Sequence, residues 1–386
     1  MVHQPPFLVE QFMDKYESGI AHNMGETCVE SLSVADLQRL THTDLTPQIL
    51  AAKLTYGDIR GSDALKAAIA SVYNANGADR VAPDHVVVTN GAIGANFLAF
   101  YSLVAPGDTV IVVDPTYQQL SAVPGMFSGN QANVIPWKLA YDDGFQPRLD
   151  DLRSLVEQHR PRLVVINNPN NPTGVVWNDA SLQGIIDICR PHGVRILCDE
   201  VYRPLFHSVP ASPRSIVQFG YEHAISTSSI SKAFSFAGLR VGWIVCPSAA
   251  IRSDLWEKRD YNTISVGVLD DLVAAHALQH AQVLLERSYR ICVRNLAVID
   301  EFIRSSNGAY SWVRPAGGST CFIRINADID VDKMCQDLAQ SHATLAVPGS
   351  VFGKQWTRFV RIGFGNNPEA IQRGLAELHR WVQTSK

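Results

Sequence analysis

A lysine stands between two serines and a run of apolar residues in SSISKAFSFAGLR, Ser228 to Arg240. An ammonium is costly to bury, and Phe234, Phe236, Ala237 and Leu239 give Lys232 no plainly solvated face. A lysine in such surroundings is suited to be a nucleophile that condenses with an aldehyde to form an imine. Arg240, eight residues on (240 − 232), is suited to the grip of a phosphate.

Other polar residues gather in four short segments. Asn90-Gly91-Ala92-Ile93-Gly94 is a small-residue turn that can offer backbone N–H groups to a phosphate. Pro115-Thr116-Tyr117 offers an aromatic face. The run from Asn168 to Gly174 carries Asn171 on a backbone stiffened by two Asn-Pro steps. CDEVY contributes Asp199 and Tyr202, and Ser229 and Ser231 precede Lys232. Singly, each has a plain structural explanation: a helix start, a packed ring, a turn, an ion pair, a lysine reaching for water. Together they meet the needs of one ligand. A phosphate takes the glycine turn, the serines and Arg240, and a flat heteroaromatic ring stacks on Tyr117. A protonated ring nitrogen takes a buried carboxylate, Asp199. A ring hydroxyl takes Asn171 and Tyr202, and an aldehyde takes Lys232. That ligand is pyridoxal 5′-phosphate.

The elements that must position these groups are short apolar strands: HVVVT (85–89), TVIVVD (109–114), RLVVIN (162–167), RILCDEV (195–201), HAISTSS (223–229) and RVGWIVC (240–246). Their near-continuous apolarity predicts strands buried on both faces. Amphipathic stretches lie between them, such as DASLQGIIDICRPHG, with Leu182, Ile185, Ile186 and Cys189 on one helical face. The alternation predicts an α/β domain with a mainly parallel sheet, which binds ligands at the carboxyl ends of its strands. Beyond Leu255 the pattern changes: residues 266–306 read as one long helix without proline, then strands and turns, then a final helix opened by Pro368. The expected organisation is an N-terminal segment (1–45) joining a small α+β domain (286–386), with a large domain (46–285) between them.

The motifs NNPNNPTG, CDEVY and SSISKAFSFAGLRVGW resemble those of the class I/II aminotransferases, the fold-type-I pyridoxal-phosphate enzymes. The likeness runs from about Tyr56 to the C-terminus and implies a mainly parallel seven-stranded sheet beside a smaller α+β domain. By that resemblance Lys232 carries the cofactor, Asp199 pairs with its ring nitrogen, and Asn171 and Tyr202 hold the ring oxygen. Tyr117 stacks on the ring, and Gly91, Ala92, Ile93, Ser229, Ser231 and Arg240 surround the phosphate. TYGDIRGSDALKAAIA is similar to the segment whose tyrosine, here Tyr56, reaches the phosphate of a neighbouring subunit, which implies a homodimer with shared active sites. Arg361 in FVRIGFG matches the arginine that holds a substrate α-carboxylate.

The sequence departs from the family near its start, where HNMGETCVESLSV replaces a glycine-rich G-x-P stretch. Glu26, Thr27 and Cys28 there either lie on the surface or form a polar wall for a cationic or hydroxylated substrate side chain. NVIPWKLAYDDGFQPRLDDLR, KRDYNTIS and VPGSVFG look like the capreomycidine synthase branch, which eliminates a β-hydroxyl from a hydroxyarginine and closes a ring. GETC is outside that pattern, so no substrate is carried over. The expected reaction is elimination and addition, or cyclisation, on an amino-acid side chain, with transfer of an amino group to a 2-oxo acid as the alternative.

Other classes fit less well. Ser229-Ile230-Ser231-Lys232 satisfies S-x-x-K, but the S-D-N and K-T-G companions of serine acylases are absent. No G-x-G-x-x-G follows a strand, which disfavours a nicotinamide-dependent reductase. A ligand-sensing regulator would need an added DNA-binding domain. A net charge of −4 over 386 residues leaves no basic footprint for nucleic acid. No apolar run is long enough to span a bilayer, and MVHQPPFLVEQF lacks the order of a secretory signal. Seven cysteines without a C-x-x-C pair suit reduced thiols in a cytoplasmic enzyme, and no metal site is expected.

Overall fold

The computed structural model describes residues 4–75, 77 and 80–384. The first three residues of the expected N-terminal segment lie outside the described residues. A two-residue strand, β1 (His22–Asn23), is followed by the seven strands of the large sheet. These are β2 (Val86–Thr89), β3 (Val110–Asp114), β4 (Val134–Lys138), β5 (Leu163–Asn167), β6 (Arg195–Asp199), β7 (Ala224–Ser229) and β8 (Gly242–Val245). Their order across the sheet is β2-β8-β7-β6-β5-β3-β4. β8 alone runs against its neighbours, so the carboxyl ends of the other six share one rim with the amino end of β8.

Six of the seven strands match the apolar runs read from the sequence. The seventh, β4, does not stand out because it is an edge strand: only Trp137 of its five residues is buried, and it carries Pro136. An edge strand needs no two-sided apolarity and tolerates a residue without an N–H. The inner strands β5 and β7 are buried throughout, and so is β2 at the other edge, which the helices Asp63–Asn74, Gly91–Leu103 and Ala249–Arg259 contact. Helices cover both faces, so two separate apolar clusters form, one on each side of the sheet.

A second, four-stranded sheet is built from β9 (Tyr310–Trp312), β10 (Thr320–Ile325), β12 (Val347–Pro348) and β13 (Phe359–Gly363), in the order β12-β13-β10-β9. β11 (Thr344–Leu345) pairs in parallel with β1, which ties the N-terminal segment to this half of the molecule. The continuous helix read over 266–306 is in fact two, Val268–Gln279 and Ala281–Ser305, meeting at His280. The His280 ring nitrogen Nδ1 lies 2.9 Å from the carbonyl oxygen of His276, and the His280 backbone N–H bonds Ala277. A side chain that competes for a helical carbonyl breaks the ladder without proline or glycine, and the apolar spacing continues across the break.

No helix among the described residues is long and apolar enough to cross a membrane. All seven cysteines are buried and unpaired.

Candidate active site

One cavity opens at the rim where the strands end. Glu26, Thr27, Cys28, Ala92, Ile93, Tyr117, Asn171, Asp199, Tyr202, Ser229, Ser231, Lys232, Arg240 and Arg361 all line it. Of the residues singled out from the sequence, Gly91 sits directly behind this wall and Tyr56 is away from it, 73% exposed on the surface.

Lys232 follows the end of β7 by three residues, and its ammonium meets the GETC segment. Its Nζ donates to Cys28 Sγ at 3.2 Å and to Glu26 Oε1 at 3.4 Å. Segment 24–30 is stitched between the Lys232 loop and the second sheet. Val29 N–H donates to the Lys232 carbonyl, Gly363 N–H to that of Met24, and Glu30 N–H to that of Gly365. Glycine is required at 363, because a Cβ there would stand 1.8 Å from the Glu26 carbonyl oxygen. Thr27 and Cys28 are buried, and Glu26, with 43% of its side chain exposed, lines the cavity.

The charges here are coupled. Burial favours a neutral Lys232 amine, but Cys28 and Glu26 outweigh it and hold the ammonium well above its ordinary range. Lys232 in turn holds the Glu26 carboxyl down at about 2 against the cost of burial, helped by N–H bonds from Thr27 and Cys28, both 2.6 Å. Burial pushes the Cys28 thiol up to about 11, so near neutral pH it is an uncharged donor or acceptor. Glu26 is thus the anion that pairs with Lys232.

Asp199 closes β6 and is buried. Asn96 donates to its Oδ2 at 2.8 Å, Thr227 donates to Asn96 at 2.6 Å, and the Val201 N–H reaches Oδ1 at 3.0 Å. Burial still pushes its carboxyl up to about 6, because these hydrogen bonds only partly offset the loss of solvent. Beside it Asn167 accepts the Asn171 N–H at 2.6 Å and so fixes the loop carrying Asn171.

At the opposite end the helix Gly91–Leu103 points its N-terminus into the cavity. Gly91 has φ +72°, and a Cβ there would stand 2.8 Å from the Arg240 guanidinium. Arg240 donates to the Ala237 carbonyl at 2.8 Å, and Ser229 Oγ accepts the Ser231 N–H at 3.2 Å. Helix N–H groups, hydroxyls and a guanidinium converging on one spot suit a phosphate.

Three buried polar atoms in the wall make no well-formed hydrogen bond among the described residues: Asn171 Oδ1, the Tyr202 hydroxyl and Arg361 Nε. Thr27 approaches the Tyr202 hydroxyl and lowers its raised pKa slightly, against the dominant effect of burial. Arg361, on β13, is 3% exposed and has Nη2 bound to the Gly25 carbonyl at 2.7 Å. Unpaired buried groups of this kind are costly unless a ligand completes them. Asn171 and Tyr202 are the residues expected to hold a ring oxygen, and Arg361 the one expected to hold a carboxylate. The donor set therefore fits pyridoxal 5′-phosphate with an amino acid beside it.

Sequence reasoning missed Asn96, Thr227 and Asn167, which orient Asp199 and Asn171, and the face formed by Val9, Glu10, Met13 and Glu17. Asn96 had a signal, an amide in an otherwise mostly apolar helix. The Leu8–Tyr16 helix had none, since its spacing defines a face and not the neighbour of that face.

The aminotransferase class I and II family pattern matches residues 48–378. The chain is 36% identical to capreomycidine synthase from Streptomyces vinaceus over 85% of its length and 81% of that protein's. Its fold superposes with TM-score 0.92 on a PLP-dependent aminotransferase from Streptococcus suis 89-1591, at 35% identity and covering 99% of both chains. It superposes with TM-score 0.88 on the PLP-dependent cyclase OrfR, at 25% identity, covering 100% of this chain and 98% of that one.

Proposed function

The chain belongs to the aminotransferase class I and II family of pyridoxal-phosphate enzymes, and from that premise we propose that it remodels the side chain of an α-amino acid by elimination and addition, or by cyclisation. The carrying observation is the Glu26-Thr27-Cys28 segment, held against Lys232 where a substrate side chain would project. Likeness to a capreomycidine synthase and to a cyclase supports this reading. Likeness to the Streptococcus suis aminotransferase supports a second one, transfer of the amino group to a 2-oxo acid.

Each residue then has a task. Gly91, Ala92 and Ile93, at the helix start, hold the phosphate with Ser229, Ser231 and Arg240. Asp199 keeps the ring nitrogen protonated, Asn171 and Tyr202 hold the ring oxygen, and Tyr117 covers a face. When bound, the cofactor supplies an electron sink for the pair left at Cα after proton loss. Lys232 is the base that takes that proton and the acid that returns one. Arg361 grips the α-carboxylate through the edge bearing its unpaired Nε.

The two readings separate on the fate of the cofactor during turnover with an amino acid. Elimination or cyclisation returns the starting absorbance with release of water or another leaving group. Stoichiometric accumulation of pyridoxamine phosphate and a 2-oxo acid would replace our first reading by transamination. In Arg361→Ala the same titration should need about a hundredfold more amino acid, since a charge-assisted bond is lost, with cofactor affinity unchanged.

The working unit in this proposal is a homodimer. Leu50, Leu54, Tyr56 and Tyr261 are between 73% and 85% exposed, a surface that a second copy would cover. Tyr56 then reaches the partner's phosphate site. Sedimentation should report a dimer, and Tyr56→Phe should weaken cofactor binding about tenfold by removing one charge-assisted hydrogen bond. Unchanged affinity would return Tyr56 to a merely structural surface role.

A further inference from the structure

We infer that the substrate's side chain is cationic and lies against a wall of carboxylates, Glu10, Glu17 and Glu26, on the side of the cavity away from the phosphate site. This rests on the reading of the cavity as the site of an α-amino acid, and it names the class of that amino acid.

The observation is one of charge balance. The cavity is lined by three cations, Lys232, Arg240 and Arg361, and four carboxylates, Glu10, Glu17, Glu26 and Asp199. In the working enzyme Arg240 is answered by the phosphate, Arg361 by the substrate carboxylate and Asp199 by the ring nitrogen. Lys232, the base at Cα in this proposal, must act there as a neutral amine, so it no longer supplies the cation that pairs with Glu26 at 3.4 Å in the cofactor-free protein. Three carboxylates remain without a protein counter-charge. Glu10 has only the Tyr117 hydroxyl, at 2.9 Å on Oε1, and neither Glu10 nor Glu17 has a salt bridge among the described residues. Glu26 uses Oε1 for the Thr27 and Cys28 N–H groups and for Lys232, and its carboxylate also meets the Cys28 thiol. Glu10 and Glu17 are exposed at the mouth and Glu26 is half-buried, and carboxylates lining one cavity repel one another, which a guanidinium or ammonium relieves where a neutral hydroxyl would not.

The helix Leu8–Tyr16 shapes this wall. Glu10, Met13 and Glu17 recur at three- and four-residue spacing along one face, with Val9 beside them. Carboxylates alternating with apolar side chains suit a long side chain whose methylene stem packs on Val9 and Met13 and whose charged head meets the acids. A carboxylate cluster alone would not mark a ligand, but Arg361 Nε and Asn171 Oδ1 are buried, unpaired and in the wall of the same cavity.

The test titrates the holoenzyme with pairs of similar length that differ in charge: arginine with citrulline, lysine with norleucine, ornithine with norvaline. Dissociation constants come from the cofactor's absorbance and from calorimetry. In at least one pair the cationic member should bind ten- to a hundredfold more tightly, and the preference should shrink in 1 M salt. Glu26→Gln, which can keep the backbone bonds, should reduce the preference to about threefold or less. Glu17→Gln, at an exposed helix end, should reduce it about threefold. Equal affinity within every pair, or a preference untouched by both substitutions, overturns the inference while leaving the amino-acid site standing. If these amino acids and a panel of neutral and acidic ones all leave the absorbance and the calorimeter silent, the proposed function falls and the inference with it.

Discussion

Lys232→Ala protein is expected to bind pyridoxal 5′-phosphate without the visible absorbance of the lysine-linked form and to turn over about 10⁴-fold more slowly, or not measurably. Two tasks are lost at once, the covalent anchor and the group that moves the proton at Cα, and a positioned acid–base group alone is worth roughly 10²–10⁴ in rate. The fold should survive. The lost ammonium is only partly enclosed, with 26% of the side chain exposed, and its contacts are to Glu26 and Cys28 on a segment that bonds to Ser319, Arg361, Gly363 and Gly365 also hold. Borohydride reduction and peptide mapping check the assignment: wild-type protein should carry the modification at Lys232. A modified residue elsewhere, or an unchanged absorbance in the variant, would overturn the whole reading of the site.

The second large effect is expected at Asp199. Asp199→Asn preserves shape and a hydrogen-bonding group beside Asn96 but removes the charge that keeps the ring nitrogen protonated. Breaking a buried ion pair costs about 3–5 kcal/mol, or roughly 10²–10⁴ in turnover at 1.4 kcal/mol per tenfold. The covalent attachment at Lys232 should persist, which separates this variant from Lys232→Ala. Asp199 also sets a pH dependence. In the cofactor-free protein burial raises its pKa from 3.8 to about 6. A carboxyl raised on folding contributes stability below its unfolded pKa and loses it as pH rises through the folded one, here across the window from about 4 to about 6. For the cofactor the sign is opposite: the ionised carboxylate is the form that pairs with a cationic ring. Affinity measured by equilibrium dialysis should therefore weaken by about fivefold between pH 6 and pH 5, and Asp199→Asn should flatten that part of the profile. A variant with the same slope as wild type would assign the titration to another group.

Much of the large sheet could be read in advance because its inner strands are buried on both faces, which forces continuous β-branched and apolar runs such as LVVIN. β4 escaped because an edge strand is under no such demand, and the break at His280 because it is made by a side chain within an unbroken apolar pattern. Lys232, Asp199, Asn171 and Arg240 were legible because each lies within a few residues of a strand end, and the parallel topology sends those ends to one rim.

By itself, then, the order of residue types along the chain pointed to the cofactor and to candidate groups for it, since those depend on chemistry and on local position. Only the tertiary structure decided what surrounds them. Glu26 meets Lys232 across 206 residues of sequence, and Glu10 reaches Tyr117 across 107. Asn96 meets Asp199 across 103. Helical and strand periodicity specify which face of an element is apolar, but they do not say which element lies opposite, and the charges that shape the substrate end of the cavity come from such long-range neighbours.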